Sequence, residues 1–341
     1  MINIRLCANE KEQQWNEYVQ KNALSTFCHL YGWKKIIEKV FGYKSYYLVA
    51  KNNNDVAGIL PLFLVKSKVF GSYLVSMPFM DYGGILGDNQ EVSDNLLTEA
   101  RRIGKIEEVD FLELRHNCPN KFDLLQNLDK MNLRLALSSE AELWSSCKPE
   151  IKNRINKSCK MDLKFEIGEQ EKAVLFYGVF SEAMRDMGTP VMPLRFFENI
   201  LRQPDFKTEV FLVKKNTKVI GGAIAIYFKD QMELPWISCL RKYFDSCPNN
   251  FLYWEAMKRG VAKEIKWFNF GRSSKGSGHF IFKKRWGALT QQLFYQYVSY
   301  NDRTPDLNPK SPRYQLGVRL WKNIPLRMAN LLGPYIAKYI P

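Results

Sequence analysis

A repeated β-hairpin constrains this chain more than any other sequence feature. Tyr46-Tyr47-Leu48-Val49-Ala50 reads as a strand, Asn52-Asn53-Asn54-Asp55 as a turn, and Val56 to Val65 as the returning strand. Val210 to Lys214, the turn Lys215-Asn216-Thr217-Lys218 and Val219 to Tyr227 repeat the pattern. Leu48 to Lys51 lies on Leu212 to Lys215, and Val56-Ala57-Gly58-Ile59 lies on Val219-Ile220-Gly221-Gly222. A third strand follows each hairpin (Tyr73 to Met77; Gln231 to Cys239), then a helix (Val92 to Ile103; Asn249 to Lys263), then a short strand (Val109 to Leu114; Lys266 to Phe270). Helical periodicity precedes each, in Leu30, Trp33, Ile36, Ile37 and Val40 and in segments 169–186 and 194–202. The order helix–β–β–β–helix–β therefore occurs twice, which predicts two copies of one α+β unit. A length of 341 residues accommodates them. The expected divisions are 1–145, 146–300 and a linker with tail, 301–341. Lys148 to Lys164 is expected to form a basic connecting helix, and 301–312 a polar, Pro-rich linker.

Charge bounds the partners. Lys and Arg number 50 against 35 Asp and Glu, a formal net charge of +15. Such a bias suits a polyanion, namely a nucleic acid, an anionic membrane face or a phosphorylated substrate, or else a basic surface kept for solubility. No zinc-finger or RNA-recognition signature accompanies it, so sequence-specific reading of DNA is not expected. The seven cysteines show no Cys-x-x-Cys, which argues against a disulfide framework or zinc knuckle. His29, His116 and His279 lie far apart, and no metal site is expected. The first residues contain no apolar signal region, and no stretch reaches the roughly 18 apolar residues of a membrane span. A cytoplasmic protein is expected, with peripheral attachment to the inner face of the cell membrane left open.

P-loop, Gly-x-Ser-x-Gly and His-Glu-x-x-His motifs are all missing from the sequence. The chemistry-bearing segment is instead Pro248 to Gly287. Pro248-Asn249-Asn250-Phe251-Leu252-Tyr253-Trp254 is expected to open a helix, with Asn249 or Asn250 as its N-cap. Phe268-Asn269-Phe270 ends in Gly271-Arg272-Ser273-Ser274, followed by the loop Lys275-Gly276-Ser277-Gly278 and by Phe282-Lys283-Lys284-Arg285-Trp286-Gly287. Glycines, hydroxyls and cations gathered at a strand end suit an anion or a developing oxyanion.

These motifs, together with Met184-Arg185-Asp186-Met187-Gly188-Thr189-Pro190, resemble the FemAB-like and BioF2-like acyltransferases of the GNAT superfamily. The nearest group is the FemAB-like proteins of PEP-CTERM/exosortase and exopolysaccharide systems. The resemblance implies tandem GNAT-like domains, each a mixed β-sheet flanked by helices. It implies transfer of an acyl or aminoacyl group to an amine. By the same resemblance, Lys283 stabilises negative charge at the reacting centre, with Phe282 beside it and Arg272 or backbone amides assisting. Ser273, Tyr253, Trp254, Arg185, Asp186, Thr189, Arg285 and Trp286 become candidates for substrate binding. Asp81 and Tyr82, in Met77 to Gly84 of the first half, are further candidates or else part of a structural turn. The family pattern has Asp where this chain has Asn269, and a supporting role for that position under the Gly-Arg-Ser turn is expected.

The donor is left open. The coenzyme A-binding Arg/Gln-x-x-Gly-x-Gly/Ala motif has only Arg272 to Gly278 as a near match, one residue too long. Acyl-CoA, acyl-carrier protein and aminoacyl-tRNA all remain as co-substrates, and no permanently bound cofactor is expected. The leading expectation is an N-acyltransferase acting on an amino sugar or similar amine, in a lipid-linked or free acceptor, during cell-envelope or exopolysaccharide assembly. An aminoacyl-tRNA-dependent enzyme modifying a peptidoglycan precursor is the alternative, and a non-catalytic membrane-associated scaffold binding lipid or glycan is a third. In residues 313–341 apolar positions interleave with Arg319, Lys322, Arg327 and Lys338. That tail is expected either to meet an anionic membrane or to dock on the body, with Pro325 and Pro334 breaking it into short helices.

Overall fold

The structure, a computed structural model, describes residues 2–7, 11–53, 55–67, 71–301 and 312–339. The linker expected over 301–312 lies outside the described residues except at its ends, as does Asn54 of the first turn.

In chain order the elements are β1 (Ile2–Leu6), α1 (Glu12–Lys21), α2 (Gly32–Phe41), β2 (Lys44–Asn52), β3 (Asp55–Ser67), β4 (Gly71–Val75), β5 (Leu86–Gly87), α3 (Gln90–Ile106), β6 (Phe111–His116) and β7 (Leu125–Asn127). There follow β8 (Lys130–Ala136), α4 (Glu140–Ser146), α5 (Pro149–Cys159), β9 (Leu163–Gly168), α6 (Ala173–Met187), α7 (Leu194–Arg202), β10 (Lys207–Lys215), β11 (Lys218–Phe228) and β12 (Gln231–Cys239). Last come α8 (Pro248–Ala262), β13 (Trp267–Ser274), α9 (Gly278–Arg285), β14 (Leu289–Gln292), β15 (Phe294–Ser299), α10 (Pro312–Lys322) and α11 (Leu326–Ala337). This is an α+β chain with two mixed sheets, each flanked by helices, in the tandem arrangement the sequence implied.

The chain divides into two compact units. Among the described residues, the first takes those up to Asn132, then Gln291 to Asn301 and Tyr339, and the second takes Leu133–Thr290 and 312–338. The division drawn near residue 145 in the sequence differs from this one because two strands change places. The first sheet runs β1-β2-β3-β4-β6-β15-β7, with β5 beside β3, and the second runs β14-β8-β13-β12-β11-β10-β9. Thus β15, late in sequence, pairs antiparallel with β6 through Phe294↔His116 to Ser299↔Phe111. Conversely β8, early in sequence, lies beside β13.

The two hairpins repeat in detail. Ala50 faces Gly58 and Val213 faces Gly221, and each ladder shifts register at the next step. Asn53 and Asn216 both turn at φ 55°, a backbone region asparagine tolerates better than most residues. Pairing therefore sets Ala50 on Val213, one residue from the match drawn in sequence, because the two turns are equally long whereas that match made the first one residue longer. The repeated glycine has a packing cause. A Cβ at Gly58 would lie 2.6 Å from Val92 Cγ1, and one at Gly221 would lie 2.6 Å from Cys239 Sγ.

Each core forms where sheet meets helix. In the first unit Leu48, Leu60, Leu62 and Leu112 pack with Leu96 and Ala100 of α3. In the second, Phe176 of α6 and Phe197 of α7 meet edge to face, and Phe197 meets Trp236 of β12 likewise, with centroids 5.3 and 5.5 Å apart. Two local expectations are corrected. The basic helix ends at Cys159, and Lys164 lies in β9. Pro334 sits inside α11 without ending it. A proline removes one intrahelical donor, and here the buried Ala329, Gly333 and Ala337 hold the helix on the body on both sides of it.

Candidate active site

β12 and β13 are parallel neighbours over three residue pairs only, Gln231↔Trp267, Met232↔Phe268 and Glu233↔Asn269. Beyond Glu233 the two strands stop pairing. The cause lies in β12, where Glu233 faces Ile226 but Trp236 faces Ile224, so Leu234 and Pro235 together oppose Ala225. Proline has no N–H for the ladder, and an extra residue bends the strand and increases its twist. The sequence therefore opens a gap in the middle of a central sheet.

Polar groups line the start of that gap. Asn269 is only 1% exposed and Glu233 only 2%. Asn269 Nδ2 donates to Glu233 Oε2 at 2.7 Å. Its Oδ1 accepts from the Gly271 N–H at 2.9 Å. Gly271 has φ 70°, a left-handed conformation that glycine adopts without a Cβ penalty. Asn269 thus braces the turn that leads into Arg272, and the buried carboxylate of Glu233 keeps a donor.

Lys283 closes the arrangement. It lies on α9, whose start is capped by Ser277 Oγ accepting from the Phe280 N–H at 3.2 Å. Its side chain runs inward, 9% exposed, and Nζ donates to the carbonyls of Gly271 at 3.1 Å and Arg272 at 2.9 Å. The carbonyls of two successive β13 residues therefore fix an ammonium against that strand. Burial, and after it the charge of Lys283, hold the His279 imidazole below its usual pKa.

Aromatic rings back this cation. Tyr253 of α8 contacts Phe270 at 5.2 Å, Phe282 at 5.6 Å and Trp286 at 6.1 Å between centroids. Burial pushes its phenol well above the ordinary range. Trp286 is buried, and its Nε1 has no hydrogen-bond partner. Trp254 meets Trp144 of α4 at 5.3 Å. Ser273 is buried, with Oγ donating to the carbonyl of Arg272 at 2.8 Å. Arg285 points outward and pairs with Glu150 at 2.9 Å. The structure thus gathers Lys283, Arg272, Ser273, Phe282, Tyr253 and Trp286 around one turn.

Arg185, Asp186 and Thr189 form a different constellation. The Gly188 N–H donates to the Arg185 carbonyl and the Thr189 N–H to the Met184 carbonyl, the paired bonds of a glycine-terminated helix end. Arg185 pairs with Asp186 at 2.7 Å and donates from Nη1 to the carbonyl of Ile324, between α10 and α11. This motif stops α6 and holds the tail.

Asp81 and Tyr82 lie in the first unit. There β4 and β6 also pair over three steps, ending at Val75↔Glu113. The gap beyond is filled by the protein itself. Arg115 Nε donates to Glu113 Oε1 at 2.5 Å, and Nη1 donates to the carbonyls of Met77 and Met80. Tyr295 stacks under that guanidinium and donates its hydroxyl to the Asp81 carbonyl at 2.6 Å. Met77 to Gly84 is therefore a pinned loop.

Glu233 escaped sequence reasoning, and Asn250, expected as a possible N-cap of α8, caps nothing. Glu233 showed no motif, although Pro235 inside a strand pattern signals the bulge beside it. Asn250 stands in the first turn of α8, 3% exposed, with Nδ2 lacking any partner. Cys247 at φ 54° precedes that helix, and no side chain caps it. Backbone N–H groups at such a terminus favour a negative charge. Among the described residues no group of His, Cys, Asp and Glu is placed to hold a metal ion.

Comparison with known proteins bears on this geometry. Residues 145–284 match the acetyltransferase (GNAT) domain family. No protein of curated function matches the sequence. Among solved structures, the crystal structure of FemX superposes with a TM-score of 0.67 at 15% identity, over 92% of this chain and 99% of that one. L-PGS from Bacillus licheniformis gives 0.56 at 10% identity over 94% and 99%. A tandem GNAT protein from the clavulanic acid biosynthesis pathway gives 0.54 at 9% identity over 88% and 98%. Residues 145–284 of the second unit accordingly match a GNAT acetyltransferase domain, and the chain as a whole shares the tandem fold of these solved structures.

Proposed function

We propose that this acyltransferase moves an acyl group onto the amine of an amino sugar or similar acceptor in cell-envelope or exopolysaccharide assembly, by direct attack in a ternary complex. The observation that carries the reading is the clamp on Lys283. A buried ammonium, fixed by two carbonyls where β12 and β13 part, is preorganised to stabilise the oxyanion of a tetrahedral intermediate. Arg272 adds a second cation on the same turn. The donor's phosphate-bearing portion lies against the start of α8, near Asn250, rather than on Arg272 to Gly278, which form a strand end and loop. Glu233 takes the proton released by the attacking amine, directly or through water, and as the tetrahedral intermediate collapses the bond from the acyl carbon to the donor breaks and the departing sulfur or oxygen takes up that proton. Proximity of amine and carbonyl supplies much of the rate, and no covalent enzyme intermediate is needed.

The test is transfer of a labelled acyl group by Lys283→Met. Loss of one oxyanion-stabilising group is expected to lower kcat by about 10²–10³-fold, while the melting temperature falls only slightly. Unchanged turnover would remove Lys283 from the mechanism. The likeness to FemX favours a second reading, in which the donor is an aminoacyl-tRNA. Transfer abolished by ribonuclease would select it, and the net charge of +15 suits such a polyanion.

A further inference from the structure

The two tail helices divide their surfaces sharply. On α11 the face toward the body is made of small residues, Ala329, Gly333 and Ala337, all buried. A Cβ at Gly333 would stand 3.1 Å from the backbone N and O of Val191, so the helix lies against that segment. The opposite face is apolar and uncovered. Leu331 is 66% exposed and Tyr335 65%, with Met328, Leu332 and Ile336 beside them. These positions fall at i, i+3, i+4, i+7 and i+8 from Met328, a single helical stripe. On α10, Leu316 and Leu320 are one turn apart and also exposed. Large side chains pointing outward while the inner face carries alanine and glycine reverse the usual order of a surface helix.

Charge identifies the occupant. From Pro312 to Pro341 the sequence contains Arg313, Arg319, Lys322, Arg327 and Lys338 and neither Asp nor Glu. Arg319, Lys322 and Arg327 are exposed beside the apolar residues. A second copy of this chain presenting the same face would bring like charges together, whereas an anionic lipid surface would meet cations and apolar side chains at once. No described helix is long and apolar enough to cross a membrane.

We infer that the outer face of α10 and α11 is a docking surface for an anionic bilayer, on which Leu316, Leu320, Leu331 and Tyr335 enter the interface and Arg319, Lys322 and Arg327 meet lipid phosphates. The inference is independent of the donor and acceptor chosen above. It concerns where the enzyme works, so a soluble acceptor is handled equally well with or without lipid.

The test is cosedimentation of the full chain with vesicles of phosphatidylcholine alone or mixed with phosphatidylglycerol, at low and high salt. Binding only to the mixed vesicles, weakened by salt, is expected. The double change Leu331→Glu with Tyr335→Glu should lower that affinity at least about tenfold, and Arg319→Glu with Arg327→Glu should remove the preference for phosphatidylglycerol. All four positions face solvent, so the melting temperature stays unchanged and reports intact folding. Failure of the unaltered chain to bind, or binding indifferent to both double changes, overturns the inference. So does a dimer of the unaltered chain that Leu331→Glu with Tyr335→Glu dissolves, since the face would then join two copies.

Discussion

Asn269 carries two obligations at once, one to a backbone N–H and one to a buried carboxylate. The family pattern has aspartate at this position, and Asn269→Asp tests what the amide does here. The new carboxylate would sit against Glu233, where two negative charges so close cannot both persist. One of them would hold its proton above the ordinary carboxylate pKa. The folded state then binds more protons than the unfolded state as pH rises past about 4, so stability falls with rising pH until that proton is lost. Thermal melts of Asn269→Asp should therefore match the unaltered protein near pH 4 and fall progressively below it toward pH 7. Parallel melting curves at every pH would show that Glu233 does not need the amide. The bracing role at Asn269 was legible only through resemblance to a family, and the role proposed for Lys283 came from the same source. Glu233 was not legible, because its importance comes from burial, which sequence spacing does not express, and Asn250 was legible only as a residue of the helix start.

Among the elements, the strongly patterned ones were legible. The helices α7 and α8, the strand β12 and both hairpins follow directly from periodicity and turn residues. β7 and β14 were not, because strands of three or four largely polar residues leave too little pattern to read. α9 was not legible as a helix, since its apolar residues follow no helical stripe. The tail was legible as amphipathic, but only the structure shows which side is covered. Its attachment rests on a close approach at Gly333. Gly333→Val would press a branched side chain against the backbone of Val191 and lift α11 from the body. Limited proteolysis should then cut between α6 and α11 or within the tail far faster than in the unaltered chain, while acyl transfer to a soluble acceptor is kept. Equal protease resistance would mean that Arg185, through Ile324, suffices to hold it.

At the scale of the whole molecule, the exchange of β8 and β15 decides what can be separated. A chain divided at residue 145 leaves the first sheet without β15, which lies between β6 and β7, and the second without β8, which lies between β14 and β13. Exposed central edges of this kind invite aggregation. The pieces 1–145 and 146–341 should each be insoluble when expressed singly. A soluble 1–145 fragment with native-like circular dichroism would show that β15 is dispensable. The same exchange sets an order of events during synthesis. The first half leaves the ribosome with its sheet incomplete and waits for a strand still to be translated. At about 5–20 residues per second, that interval is on the order of ten to thirty seconds. During it β6 keeps an unpaired edge, so folding of this chain in the cell should depend on the chaperones that shield nascent β-structure.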